Sequence, residues 1–295
     1  MQETPLSYTR SGEAGSRRPR IGIALGSGIA RGFAHIGALK ALDRRGLRPD
    51  VMAGTSIGAL AGACWMAGKL KNLEAWGLSL NRRKLIALMD FKIRSGGLIG
   101  GKRLQEQLEQ NFGQMRVEDL PVPFVAVASD MVTGHEVWLR KGLITEILHA
   151  SYALPGLFPP AVLENRFLVD GALVNPVPVA PLLALGAQLT IAIDLSGDMV
   201  SKSRRPGTNV PTAAGFDLFD AGDVPADSSK PFQQFSLTRR LFRRDPSQPS
   251  LFGTMVSAFN IVQDRVTRSR LAGDPPDIHI KPRLGHIGLM EFERA

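Results

Sequence analysis

The sequence predicts an α/β fold with a parallel sheet covered on both faces. Three observations carry that expectation. Ile21-Gly22-Ile23-Ala24-Leu25 is a short, continuously apolar run, as in a strand buried on both sides. The glycine turn Gly26-Ser27-Gly28 follows it and opens a segment with Phe33, Ile36, Leu39 and Leu42 at helical spacing. Val51-Met52-Ala53-Gly54 then repeats the pattern, a strand passing through a tight turn into an apolar helix over 57–67. Strand, helix and strand alternating in this way imply right-handed crossovers within one sheet.

In chain order, residues 1–19 are polar and read as a loose N-terminal arm ahead of a domain spanning 20–295. They lack the apolar stretch of a secretory leader. Gly46 closes the first helix and Gly68 the second. Further strands are expected at 122–129, 166–169 and 189–194, with helices at 104–111 and 181–185. From 201 to 250 the pattern degrades into Pro, Gly, Ser and Asp, with a basic block at Arg239, Arg240, Arg243 and Arg244. That stretch reads as a flexible insertion. A helix over 251–271 and a strand over 277–280 follow it.

Composition narrows the function classes. With 295 residues and 44% hydrophobic content, the chain is long and apolar enough to build its own core. Its one cysteine, Cys64, excludes a disulfide framework and a zinc site made of cysteine pairs. The uncharged stretches 51–68 and 171–193 are broken by glycine, proline and polar residues, so neither reads as a membrane span. The net charge of +9 favours an anionic partner. No helix-turn-helix, zinc finger or aromatic RNA-binding motif accompanies it, so nucleic acid is not expected. A protein of the cytoplasm, peripheral to the inner face of the membrane, fits these features.

Three motifs carry chemistry. Gly54-Thr55-Ser56-Ile57-Gly58 matches G-x-S-x-G between a strand and a helix, the setting of an exposed nucleophilic serine. A plain glycine turn with Ser56 capping the helix is the competing reading. The run from Gly26 to Gly32 fails the dinucleotide pattern, because Arg31 holds the third glycine position. No Lys-Ser/Thr pair follows it, so no nucleotide cofactor is expected. One strand before a nucleophile turn, backbone N–H groups at Gly26, Ser27 and Gly28 suit an oxyanion hole. Asp170 ends the apolar run Phe167-Leu168-Val169 and precedes Gly171-Ala172, where a carboxylate can serve as general base or merely as a turn residue. A Ser–His–Asp triad is disfavoured. Of the histidines, only His279 and His286 follow Asp170, and His35 reads as a helix-face residue.

Taken together, these motifs resemble the patatin-like phospholipase family, especially its bacterial members related to neuropathy target esterase. The resemblance runs over about 20–195 and resumes at 251–294. Its marks are the loop 26–32 with Arg31 and Gly32, the elbow Gly54 to Gly58, and Asp170-Gly171-Ala172. Ser151 to Pro160 and His286-Ile287-Gly288-Leu289 support it. The resemblance implies a three-layer α/β/α sandwich with a mainly parallel central sheet, no metal, and lipid acyl ester substrates. It also implies a Ser–Asp dyad, with Ser56 as nucleophile and Asp170 as base. Ser27 departs from the family's usual glycine, and Ala172 from a second glycine. A thioesterase, a general carboxylesterase and a catalytically weak scaffold retaining the fold are the alternatives. The basic segment at Arg239, Arg240, Arg243 and Arg244 reads either as a contact for an anionic membrane or as a solvated loop.

Overall fold

The computed structural model describes residues 18–80, 102–197, 251–287 and 291–294. Residues 1–17 of the expected arm and the whole 201–250 insertion, with its four arginines, lie outside the described residues. Eight strands form one sheet: β1 (Ile21–Leu25), β2 (Val51–Thr55), β3 (Phe124–Asp130), β4 (Glu136–Leu139), β5 (Ala161–Leu163), β6 (Arg166–Asp170), β7 (Leu189–Ile193) and β8 (Ile278–Ile280). The helices are α1 (Ala34–Arg44), α2 (Ile57–Met66), α3 (Leu70–Ser79), α4 (Lys102–Phe112), α5 (Ile144–Tyr152), α6 (Ala180–Ala184) and α7 (Leu251–Gly273).

The strand order is β5-β6-β3-β2-β1-β7-β8, with β4 also pairing β3. The run β3-β2-β1-β7-β8 is parallel, as expected. Strands β4, β5 and β6 join antiparallel, so the sheet is mixed. Alternate residues of each strand enter opposite cores, which makes the sheet the middle of three layers. Ile23, Leu25, Met52, Phe124 and Ala126 face one core, shared with α1, α2 and α5. Ala24, Val51, Ala53, Val125 and Val127 face the other, with Val177, Val179 and Leu182.

Register places the site. Leu25 pairs with Gly54 on one side and Ile193 on the other, so β1, β2 and β7 end level. The turns that follow them therefore gather at one edge of the sheet, where open α/β sheets hold their ligands. Strand β2 pairs with β3 at 124–127, β6 pairs with it at 128–130, and β4 spans 126–129. Because β4 overlaps both, β2 and β6 must share the opposite edge of β3. They run toward each other along it. The residue after β2 and the last residue of β6 are brought together by that arrangement, and these are Ser56 and Asp170.

Helices α3 and α5 and strands β4 and β5 were not anticipated. β5 is only Ala161–Leu163, too short to show a period, and in β4 the pattern Glu-Val-Trp-Leu has one buried position. The glycine loop also does not enter its helix directly. A 3-10 turn over Ile29–Phe33 precedes α1. Among the described residues, no helix is long and apolar enough to cross a membrane.

Candidate active site

Ser56 stands between β2 and α2 with φ +57° and ψ −122°. A non-glycine residue there carries backbone strain of about 1–3 kcal/mol, which the surroundings must hold in place. The flanking glycines let the chain turn this sharply. A Cβ on Gly58 would lie 2.2 Å from the Leu25 carbonyl oxygen, and one on Gly54 would lie 2.6 Å from the Ala59 backbone. The Ser56 N–H donates to Ser151 Oγ at 2.9 Å, and that hydroxyl donates onward to the Val127 carbonyl at 2.7 Å. Ser56 Oγ makes no capping bond to α2. It donates instead to Asp170 Oδ2 at 2.7 Å.

Asp170 is fixed on every side. Its N–H donates to the Ala153 carbonyl at 3.0 Å, and its carbonyl accepts from Ser129 Oγ at 2.9 Å. Oδ1 accepts the Ala172 N–H at 2.8 Å, leaving Oδ2 for Ser56. Gly171 is required here, since its Cβ would lie 2.3 Å from the Val127 carbonyl oxygen. Burial raises the Asp170 pKa to about 6, against the opposing pull of the Ser56 hydroxyl and the Ala172 N–H. No histidine takes part in these bonds. His279 faces Asp194 at 3.2 Å, and the His149 ring lies tilted against Tyr152.

The glycine loop lies beside this pair in a form that differs from the expectation. The Gly26 N–H donates to the Ile193 carbonyl and the Ser27 N–H to the Pro176 carbonyl, both at 2.9 Å. Two of the three donors expected to face an oxyanion are thus committed to backbone pairing. Gly28 precedes the 3-10 turn and accepts the Arg31 N–H at 3.1 Å. The left-handed backbone of the loop falls on Ile29, at φ +48°, and not on Ser27. The Ser27 hydroxyl is buried and accepts from Gln263 Nε2 on α7. Arg31, also buried, donates through Nε to the Ile287 carbonyl at 2.7 Å. Gly32 abuts Ile57, with no room for a Cβ.

His35 is fully buried under the loop and not on an open helix face. Its Nε2 lies 2.7 Å from the Gly26 carbonyl, which can only accept, so Nε2 carries the proton. Burial lowers its pKa to about 4, and the ring stays neutral. Sequence reasoning read His35 as a helix-face residue and gave no role to Ser151 or Gln263. Ser151 did stand inside a family mark, and His35 falls within the first helix beside the loop, but their partners are set by tertiary packing. Among the described residues, no group of three or more His, Cys, Asp or Glu side chains could hold a metal ion.

Comparisons with known proteins place the chain in a family. The family model described as patatin-like phospholipase matches residues 23–183. An uncharacterized NTE family protein of Mycobacterium tuberculosis is 32% identical over 318 residues, covering 95% of this chain and 88% of that one. The neuropathy target esterase sws of Drosophila melanogaster is 31% identical over 182 residues, 59% of this chain and 13% of its own length. A lysophospholipase of Emericella nidulans is 31% identical over 183 residues, 59% of this chain and 12% of that one. The chain belongs to the patatin-like phospholipase family, and its class is that of the lipid acyl hydrolases.

Proposed function

We propose that this protein cleaves fatty-acyl esters of phospholipids or lysophospholipids through a Ser56–Asp170 dyad and a covalent acyl-enzyme. The carrying observation is the 2.7 Å bond from Ser56 Oγ to Asp170 Oδ2 on a strained strand-to-helix turn. Asp170 accepts the hydroxyl proton on Oδ2 as Ser56 Oγ attacks the ester carbonyl. The tetrahedral intermediate collapses, and the leaving alkoxide takes that proton. Asp170 then removes a proton from water, the hydroxide attacks the acyl-enzyme, and Ser56 recovers its proton as the fatty acid departs. A buried carboxylate with pKa about 6 is a stronger base than an ordinary aspartate and is still mainly ionised at neutral pH. The family and its lysophospholipase relative support the substrate class.

Oxyanion stabilisation falls to the N–H groups at the start of the 3-10 turn, Gly28 and Ile29. The turn's own i→i+3 ladder leaves these over, whereas Gly26 and Ser27 are committed elsewhere. Ser27 bears no left-handed strain, which supports an intact loop over a disabled scaffold. Gly26, Ser27, Arg31, Gly32, Gly54, Gly58 and Gly171 act by shaping the backbone around the reacting atoms.

The reading is tested by hydrolysis of lysophospholipid, diacyl phospholipid, acyl thioester and p-nitrophenyl acyl ester by the purified protein. Release of fatty acid from the lipid esters is expected. Turnover of the thioester alone would favour the thioesterase alternative. The base must be ionised to act, so kcat/KM is expected to be flat above pH 7. Below the Asp170 pKa of about 6 it should fall roughly tenfold per pH unit. A profile with no acid limb down to pH 4.5 would remove Asp170 as the base.

The membrane contact through Arg239, Arg240, Arg243 and Arg244 rests on the sequence alone. Charge reversal at all four is expected to lower co-sedimentation with phosphatidylserine vesicles and leave phosphatidylcholine vesicles unaffected. Unchanged binding would remove that contact.

A further inference from the structure

Helix α7 lies outside residues 23–183, yet it reaches both halves of the site. On one side, Gln263 Nε2 donates to the Ser27 hydroxyl, and both side chains are buried. On the other, α7 packs against the turn Gly171–Leu173 that follows Asp170. Arg270 Nε there donates to the Val174 carbonyl at 2.9 Å, and its guanidinium pairs with Glu136 at 2.9 Å. One helix thus spans the oxyanion loop and the turn carrying the base.

We propose that Gln263 is a positioning residue that holds the oxyanion loop through Ser27. The inference rests on the acyl hydrolase reading above. The loop needs holding because Ile29, a β-branched residue and itself one of the two donors, sits at φ +48°. Such a conformation persists only where neighbours over-determine it. Backbone pairing fixes the loop at Gly26 and Ser27, and Arg31 fixes it at the far end. The bond from Gln263 adds a side-chain tether at Ser27, the residue just before the Gly28 donor. Ser27 therefore has a use that the usual glycine could not supply, since glycine has no hydroxyl to accept the Gln263 amide.

The test compares the wild-type full chain with Gln263→Ala, Ser27→Ala and the double variant. A soluble p-nitrophenyl acyl ester serves as substrate, with melting temperature and amide exchange over residues 26–33 measured in parallel. Each single variant is expected to lose about 10- to 100-fold in kcat with KM nearly unchanged, the cost of a misplaced donor. Amide exchange in the loop should rise about tenfold in Gln263→Ala. The double variant strands no buried polar group, so its melting temperature should return toward wild type. Its kcat should stay at the level of the single variants, because the tether is still missing. A purely structural role would return activity along with stability, and that result overturns the proposal. A Gln263→Ala variant with wild-type kcat and unchanged loop exchange overturns it as well. A wild type that cleaves no ester counts against the hydrolase reading instead. The exchange measurement then decides the tether without reference to activity.

Discussion

Ser56→Ala is expected to fold normally and to lose roughly 10⁴-fold or more in ester hydrolysis, the scale on which nucleophile removal acts in serine hydrolases. The loss is large because the loop and the dyad act as a unit on one carbonyl carbon, the dyad through the attacking Oγ and the loop through the oxyanion. Without Ser56 Oγ, Asp170 has no proton to take and the oxyanion donors have no tetrahedral intermediate to hold. Stability should fall only modestly, by about 1–3 kcal/mol, because the buried Asp170 Oδ2 loses its donor while the backbone stays as it was. Alanine keeps the Cβ and so keeps the strain at φ +57°, and the N–H bond to Ser151 is untouched. The check is a rate assay beside a melting curve. Cooperative melting with residual activity within tenfold of wild type would place the nucleophile elsewhere.

Asp170→Asn is expected to lower kcat by roughly 10³–10⁴-fold and to raise stability at the same time. The two effects share one cause. The carboxamide can still accept the Ala172 N–H and can donate to Ser56 Oγ, but it cannot take a proton. The sign of the stability change follows from linkage. Folding raises the pKa from 3.8 to about 6, so the folded state prefers the protonated acid. Wild-type stability from this group is greatest below pH 4, declines as pH rises through 6, and is level above it. The gap corresponds to about 3 kcal/mol of cost at pH 8, which the neutral side chain avoids. Chemical denaturation should find the variant more stable at pH 8, with the difference fading toward pH 4. A variant less stable than wild type at pH 8 would show that the hydrogen bonds of the carboxylate outweigh the cost of burying its charge.

The parts of this site legible in the sequence were those set by local geometry. Gly54, Ser56 and Gly58 lie within one turn, and their spacing alone calls for a sharp strand-to-helix passage. Asp170 could be placed at a strand end, because three apolar residues lead into it. What joins them was implied only by the family resemblance and not by any local pattern. Strands β2 and β6 abut along one edge of β3, a pairing across more than a hundred residues that no local pattern encodes. The loop shows the same limit. Its glycines suggested donors at Gly26, Ser27 and Gly28. Pairing with Ile193 and Pro176, both distant in the chain, consumes two of them and shifts the free edge toward Ile29. The left-handed residue then fell on a β-branched side chain, where composition gives no warning. His35, Ser151 and Gln263 are likewise known by their partners, and each partner comes from another element.

The central claim is that Asp170 activates Ser56 for covalent attack, and peptide mapping after fluorophosphonate labelling tests it most directly. A single phosphonyl adduct is expected on the peptide containing Ser56, absent from Ser56→Ala and strongly slowed in Asp170→Asn. The labelling rate should fall as pH drops below about 6, following the carboxyl that takes the proton. An adduct on any other residue, or undiminished labelling of Asp170→Asn, would contradict the claim.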